Sequence, residues 1–521
     1  MSKLIFTLIC LSAFGGAIPC QARIITVDYD NPADFNNIQA AINDANNGDT
    51  IEVQPGRYTS LGNRDIDFKG KSITVRSIDP NDPDIVAATV IDGEMGFNQC
   101  LWCCNGCVGC ERYRGFAFRS GEGPNSVLAG LTITRFCAPD KLIWGDLMPV
   151  GGGILCEGSS PTIRQCIIID NTAHILGRGG FGGGIYSDET SNPTITSCTV
   201  STNNSYFGAG GIECTRAAIA DCAVIDNSAS FGAGGISCEI AVISCCTVIN
   251  NRSFGAGGIY CNRGTKIDDC VVSNNVGGGI CGRGAISYCT ITGNSVFPGQ
   301  GGGIFCGSGA KIEHCIIASN SAVSGEFAGG WVDGEGGGIY CTDANVLVIN
   351  STIVGNWADA DGGGIYGNPT ITNSIVWGNN CPNEPQISGV PNISYSNVQG
   401  GWLGLGNINV DPNFADASSG DYHLKSQAGR WDANDGRWTK DEVTSPCIDA
   451  GDPKSPIGLE PFPNGGIINM GAYGGTAEAS KSYFGEPICE TIVAGDINGD
   501  CKVDFKDFAF MAFHWLEDNN P

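Results

Sequence analysis

Two short patterns alternate along the middle of the chain, and their spacing leaves room for little besides a solenoid. The first, Gly-Gly-Ile-x-Cys in its fullest form, places isoleucines at Ile154, Ile185, Ile212, Ile236, Ile259, Ile280, Ile304, Ile339 and Ile365, a mean interval of about 26 residues. The second, I-x-x-C-x-(I/V)-x-x-N, follows each of them, from Ile163-Cys166-Ile168-Asn171 through Ile243-Cys246-Val248-Asn251 to Ile312-Cys315-Ile317-Asn320. Serine replaces cysteine in Val348-Ser351-Ile353-Asn356 and Ile371-Ser374-Val376-Asn379. Each unit holds two or three β-branched segments separated by Gly or Asn turns, too short for a crossover helix and without a helical period. A coil of parallel strands is what remains. Successive coils stack about 4.8 Å apart, so equal positions form ladders of Ile/Val, Cys and Asn, and parallel crossovers are right-handed as a rule.

Composition removes other classes. Gly is abundant at 78 of 521 residues, but Pro is ordinary at 23 and hydrophobic residues make 42%, so neither a collagen nor a low-complexity chain fits. A formal charge of −26 repels nucleic acid and anionic membranes and favours calcium or neutral glycans as partners. Lys3, an apolar stretch from Leu4 to Ile18 and Cys20-Gln21-Ala22 read as a secretory signal over 1–22, and no later apolar run is long enough to span a membrane. Of 27 cysteines, 25 lie beyond that segment, an odd number. Thirteen fall in the two ladders, Cys156, Cys214, Cys238, Cys261, Cys306 and Cys341 in one and Cys166 to Cys315 in the other, where a small buried hydrophobe is the expected role.

Candidate sites follow from where the units differ. The gap from ladder Asn to Gly pair is 11 residues from Asn171 to Gly182 and 16 from Asn320 to Gly336. Insertions of this kind sit on one face, often the binding face. They carry His174 and Arg178, then Trp331, Asp333 and Glu335. The residue after each repeat Ile should point outward, and Tyr186, Tyr260, Phe305, Tyr340 and Tyr366 stand there, rings suited either to stacking on sugars or to packing under loops. Asp170 and Asp226 precede ladder asparagines two coils apart, about 9.6 Å by the stacking distance, near the separation of an inverting carboxylate pair; turn residues look the same. Cys100, Cys103, Cys104, Cys107 and Cys110 form a dense cluster that fits disulfides or a metal site. Asp496, Asn498, Asp500, Lys502, Asp504 and Asp507 have the spacing of an EF-hand calcium loop, followed by an apolar helix from Phe505 to Leu516.

These repeats resemble those of bacterial right-handed parallel β-helix proteins of the pectate-lyase-like superfamily, especially large extracellular members with repeats like the polymorphic outer-membrane proteins. The segment Phe35 to Asn47, with Phe35, Ile38, Ile42 and Ala45 on one face, resembles that family's N-terminal cap. Asp421-Tyr422-His423-Leu424, Ser445-Pro446-Cys447-Ile448-Asp449 and Gly471-Ala472-Tyr473-Gly474 resemble its closing module. The calcium loop resembles one repeat of a type I dockerin, whose complete form has two and binds a cohesin. The resemblance implies an all-β right-handed parallel β-helix with an N-terminal capping helix and a small α-helical EF-hand-like module. Its expected divisions are a signal at 1–22, a helix at 23–381, a closing module at 382–485 and a dockerin-like module at 490–521. It further implies a secreted or cell-surface protein that binds polysaccharide or cell-surface glycan. If catalytic it would be a lyase, with acids holding calcium and an Arg or Lys base such as Arg252, Arg263 or Arg283, or a glycoside hydrolase. The alternative is a non-catalytic adhesin or structural spacer.

Overall fold

A computed structural model describes residues 22–95, 100, 111–143, 145–175, 179–483 and 503–514. The expected signal segment up to position 21, Arg178, Cys103, Cys104, Cys107, Cys110, Asp496, Asn498, Asp500 and Lys502 lie outside the described residues.

Each repeat unit closes one coil. Its Gly-Gly-Ile segment and the following I-x-x-C segment give two strands to one wide parallel sheet, and its C-x-(I/V) segment gives one strand to a second, narrower parallel sheet. In one coil the nine residues Ile236–Ser244 run through both wide-sheet strands before Thr247–Ile249 joins the narrow sheet. The register is that of the repeat: Ile212 pairs with Ile236, Ile236 with Ile259, and Ile259 with Ile280. A one-residue slip would turn every Ile outward, so burial fixes the register. All of these isoleucines are buried and belong to one continuous core running the length of the coil stack.

The asparagines hold the corner. Asn171, Asn203, Asn227, Asn251, Asn275, Asn294, Asn320, Asn356 and Asn379 are at most 5% exposed. From Asn171 to Asn356, each Nδ2 donates to Oδ1 of the next coil's Asn at 2.9–3.1 Å. The second Nδ2 proton goes to a main-chain carbonyl of the previous coil, as from Asn275 to Val248 at 2.9 Å. The Oδ1 also accepts a main-chain N–H, as Asn275 does from Asn251 at 2.8 Å. Both donors and both lone pairs of each interior amide are thereby used. The residue before each Asn must turn the chain, and it lies at positive φ: Asp170, Thr202, Asp226, Asn250, Asn274 and Ser319 at 50–58°, with glycines in the remaining coils. The two sequence patterns meet here. A Cβ on Gly258 would come within 3.1 Å of Asn275 Nδ2, and one on Gly303 within 2.9 Å of Asn320 Nδ2, so the glycine before the repeat Ile makes the space that its coil's amide fills.

The second corner explains the cysteines. Cys222 Sγ donates to Ala220 O at 3.2 Å and Cys246 Sγ to Ser244 O at 3.1 Å, while Cys222 N donates to Cys246 Sγ at 3.5 Å. Ser351 Oγ reproduces this, donating to Ile349 O at 2.9 Å and accepting from Cys315 N at 3.3 Å. Serine substitutes because the position asks for a small group that both donates and accepts. The ladder thiols are free and buried, as expected.

At the N-terminus the helix Ile38–Asp44 packs Ile38, Ala41 and Ile42 inward, with Asn37 capping Ala40 N at 2.9 Å. Phe35 is not part of it but bridges to Val27. The parallel ladder continues past residue 381 to Asn392–Ser394 and Asn397–Val398. The last coil is then met by the 400–410 segment, where Trp402 packs on the core and Ile408 N donates to Ser396 O at 3.0 Å. The segment read as a closing module lies instead on the flank. Leu424, Cys447, Ile448 and Met470 pack with Ile375, Ala472 N donates to Thr352 Oγ1 at 3.0 Å, and Asn350 Nδ2 donates to Gly474 O at 3.3 Å. Narrow-sheet residues that face solvent in earlier coils are apolar or small and buried here, as in Thr352–Val354.

Replacing Asn275 by Ala orphans two donors of Asn251. We expect it to lower stability by about 2–4 kcal/mol, whereas Asn274→Gly at the neighbouring positive-φ corner changes it by about 0.5 kcal/mol or less; urea unfolding of the two variants measures the contrast.

Candidate functional site

The outward positions of the coil stack inherit its register, so side chains in equal places line up. Phe305, Tyr340 and Tyr366 follow one another in the wide sheet. Their rings stack, Phe305 on Tyr340 at 5.2 Å and 11° and Tyr340 on Tyr366 at 5.0 Å and 3°. The inner faces are spent on one another, and all three rings are half-buried. Beside the stack stands Glu335, at the end of the longest insertion. Its carboxylate accepts from Gln300 Nε2 at 2.6 Å and from the Tyr366 hydroxyl. Burial raises its pKa above the usual carboxylate range against those hydrogen bonds. The same insertion forms a hairpin, Gly325–Phe327 against Gly330–Val332, that holds Trp331 70% exposed, its Nε1 donating to Asp333 at 3.0 Å. Phe305, Tyr340 and Tyr366, from three successive coils, thus line up on one stretch of the wide sheet with Glu335 of the insertion beside them.

The other two rings are placed differently. Tyr186 lies under Lys141, whose ammonium is 5.7 Å from the ring centroid and is also paired with Glu157. Lys141 comes from a hairpin, Asp140–Ile143 with Asp146–Pro149. Leu155, expected to face outward, is buried at 2%. Tyr260 stands apart from the stack and is 43% exposed.

Asp170 and Asp226 do come together. With Arg135, Thr202, Asn204 and Ser228 they line a cavity of about 340 Å³ on the asparagine corner. Thr202 from the coil between them donates to Asp170 at 2.6 Å. Both acids occupy positive-φ turn positions, for which Asp is well suited. Arg135, the nearest cation of this cavity, is engaged with Asp92 through Nε at 3.0 Å and a second nitrogen at 2.5 Å. His174 sits at the edge of the same corner, its Nδ1 3.0 Å from Asn204 Oδ1 and its ring 5.0 Å from Tyr206.

Two features escaped the reading of the sequence. Phe181, Phe207, Phe231 and Phe254 form a second aromatic ladder, with centroids 6.1, 6.4 and 6.5 Å apart. The signal was present as Phe-Gly-Ala-Gly-Gly-Ile at 207–212, 231–236 and 254–259. Glu213 occupies an outward ring position of the wide sheet, where it accepts from Ala209 N at 2.6 Å and Ser237 Oγ at 3.2 Å; burial pushes its pKa up to about 7. Only the fold of the 206–211 turn over the strand could have revealed that.

Cys100 is bonded to Cys137, outside its own cluster, so the dense cysteine spacing does not close purely on itself. In the tail, the helix Phe505–His514 begins with a reciprocal cap: Asp504 accepts from Lys506 N at 2.7 Å and Asp507 accepts from Asp504 N at 2.7 Å. These are the last two of the six loop positions expected to hold calcium. Among the described residues no helix is long and apolar enough to cross a membrane.

The family model described as "Right handed beta helix region" matches residues 46–256. The chain is a right-handed parallel β-helix. A second model, "Disaggregatase related", matches the later coils of the β-helix and part of the flank module, residues 265–451. Among solved structures, pectate lyase Pel9A is similar over 86% of this β-helix chain and 96% of its own, at 15% identity and TM-score 0.33. The PL6 family alginate lyase AlyGC is similar over 82% of this chain and 57% of its own, at 13% identity and TM-score 0.34. The A-module of mannuronan C-5 epimerase AlgE6 from Azotobacter vinelandii is similar over 72% and 94%, at 13% identity and TM-score 0.27. No curated protein matches.

Glu213 and Glu460 both rise from 4.5 to about 7 through burial. The folded protein therefore holds protons that the unfolded chain has released between pH 4.5 and 7, and these two groups make stability fall as pH rises through that window. The double variant Glu213→Gln/Glu460→Gln should flatten the fall, read as a smaller difference in urea midpoint between pH 4.5 and 7.5 than in the parent.

Proposed function

We propose that this protein is an exported β-helix that binds polysaccharide along its wide sheet and cleaves it beside Glu335. The observation that supports this best is the gathering of Phe305, Tyr340 and Tyr366 next to a carboxylate of raised pKa, with Trp331 exposed on the adjoining hairpin. Aromatic groups offer apolar surface to sugar C–H groups, and a carboxyl whose pKa burial raises suits general acid work on a glycosidic oxygen. Tyr366 and Gln300 orient Glu335, while Asp333 fixes the Trp331 indole. A disulfide between Cys100 and Cys137 agrees with an oxidising, extracellular setting.

The tail is read as a single dockerin-like calcium module. Asp496, Asn498, Asp500, the Lys502 carbonyl, Asp504 and Asp507 would hold one calcium ion with oxygen ligands, and the exposed Phe505, Phe508 and Met511 would face a cohesin-like partner. The second reading, a non-catalytic adhesin or spacer, is favoured by Asp170 and Asp226, whose placement the turn alone accounts for.

A panel of polysaccharides incubated with the mature chain and calcium, followed by reducing-end and unsaturated-product assays together, tests the enzyme. New reducing ends are expected. Glu335→Gln should lower their rate about 100-fold with binding retained, and Tyr340→Ala should weaken binding. No product across the panel with glycan binding intact would leave the adhesive reading. Calcium titration calorimetry should give one site per chain, lost in Asp496→Ala.

A further inference from the structure

The wide-sheet cysteines stand in register down the coils, yet their thiols turn to different partners. Cys238 Sγ donates to Tyr260 O at 3.7 Å, and Cys261 Sγ lies 2.7 Å from where a Cβ on Gly282 would stand. In the other ladder, from Cys166 to Cys315, each Sγ donates to the carbonyl two residues back at 3.1–3.3 Å. Cys306 and Cys341 turn to each other. They pair in register on adjacent coils, and Cys306 Sγ donates to Cys341 Sγ at 3.4 Å. Both are buried, at 1% and 5% exposure. Glycine stands on either side of the pair: Gly282 is opposite Cys306, and a Cβ on Gly367 would come 2.9 Å from that of Cys341. Their ladder therefore offers no third thiol alongside them.

The backbone already has the geometry of a cross-link. Parallel neighbours in register hold their Cα atoms about 4.8 Å apart, inside the roughly 4.4–6.8 Å that a disulfide spans. From 3.4 Å the sulfurs have about 1.4 Å left to close, and the missing side chains of Gly282 and Gly367 leave them room to rotate. Between the two cysteines the chain makes its longest insertion, with the hairpin Gly325–Phe327 against Gly330–Val332. Phe305 and Tyr340, the residues just before them, point to the opposite face and stack at 5.2 Å. The hydrogen bond to Cys341 and burial hold the Cys306 pKa well above that of an ordinary thiol. Once folded, the pair is a poor nucleophile, so exchange belongs to the moment when the coils close.

We infer that Cys306 and Cys341 are a cross-linking site, oxidised to a disulfide as the chain folds in an oxidising compartment, which ties together the two coils flanking the longest insertion on the core side of the aromatic stack. Two S–H bonds break and one Sγ–Sγ bond forms. The two thiols are oxidised, their two electrons reduce the disulfide of an oxidant, and the two protons end on the oxidant's two thiols. The bridge joins residues 35 apart in sequence and so restricts the unfolded chain around the insertion. It needs the same oxidising setting as the Cys100–Cys137 bridge and is independent of the glycan-binding reading.

The test takes the full mature chain exported into an oxidising bacterial periplasm, alkylates its free thiols in urea without reductant, and maps the bridges by mass spectrometry of the digest. A peptide pair joined through Cys306 and Cys341 is expected, lost on reduction, with Cys222 and Cys246 alkylated. A second readout inserts a site-specific protease sequence at the hairpin tip, Ala328-Gly329. After cutting, the two fragments should stay joined in a denaturing gel without reductant and separate with it. Cys100 and Cys137 both lie in the first fragment, so their bridge cannot hold the two together. Cys306→Ser should release the fragments in both lanes, and Cys341→Val gives the same readout should serine at 306 prevent folding. Cys306 and Cys341 both alkylated in the parent, either one bridged to another cysteine, or fragments that part without reductant overturns the site, whether or not the chain binds glycan.

Discussion

The buried asparagine ladder is the constraint on which the rest of this structure depends. A coil has to turn sharply at the end of its narrow-sheet strand, and turning there buries main-chain groups away from water. An amide with two donors and two lone pairs bonds the coil before it and the coil after it at once. That arrangement then dictates two other positions. The residue before it takes positive φ, and the residue before the repeat Ile has to be glycine, because the amide occupies the volume of the missing Cβ. The Gly-Gly-Ile pattern and the terminal Asn are two halves of one contact.

A stack in exact register has a consequence for function. Whatever faces outward in one coil lies directly above its counterpart in the next, so chemistry on this surface comes in rows. The rows differ in kind along the molecule: phenylalanines over the middle coils, cations at a glycine-hollowed corner, and a three-ring stack with Glu335 toward the end. An extended polymer is a natural match for rows. The breaks in the rows, hairpins at 140–149 and 325–332, decide where that polymer has access, since Lys141 already covers Tyr186.

Charge shows how local arrangement overrides an average. The chain carries 54 acidic and 28 basic residues, yet three of the basic ones meet at one corner. In sequence, Arg263, Lys266 and Arg283 are scattered among acids such as Asp268 and Asp269. The coil folds Asp269 to a positive-φ turn, leaves Asp268 bonded to Ser287, and brings residues 20 apart into adjacent coils.

The ladders, their order and the number of coils between Ile154 and Ile365 were legible in the sequence, because a solenoid repeats its local contacts and a period of about 26 residues records them directly. Inward and outward positions followed from strand alternation, and the buried free cysteines with them. The ends and the flank were not legible. Trp402 on the last coil, and Leu424, Cys447 and Met470 packed beside Ile375, are contacts between segments that share no period. Nor could the pattern say that Phe305, Tyr340 and Tyr366 would spend their faces on each other, that Glu213 would be half-buried against its own turn, or that Cys100 would reach Cys137. Periodic sequence determines which residues align along the stack; only the tertiary structure decides what crosses it, because those distances depend on loops whose lengths vary freely from coil to coil.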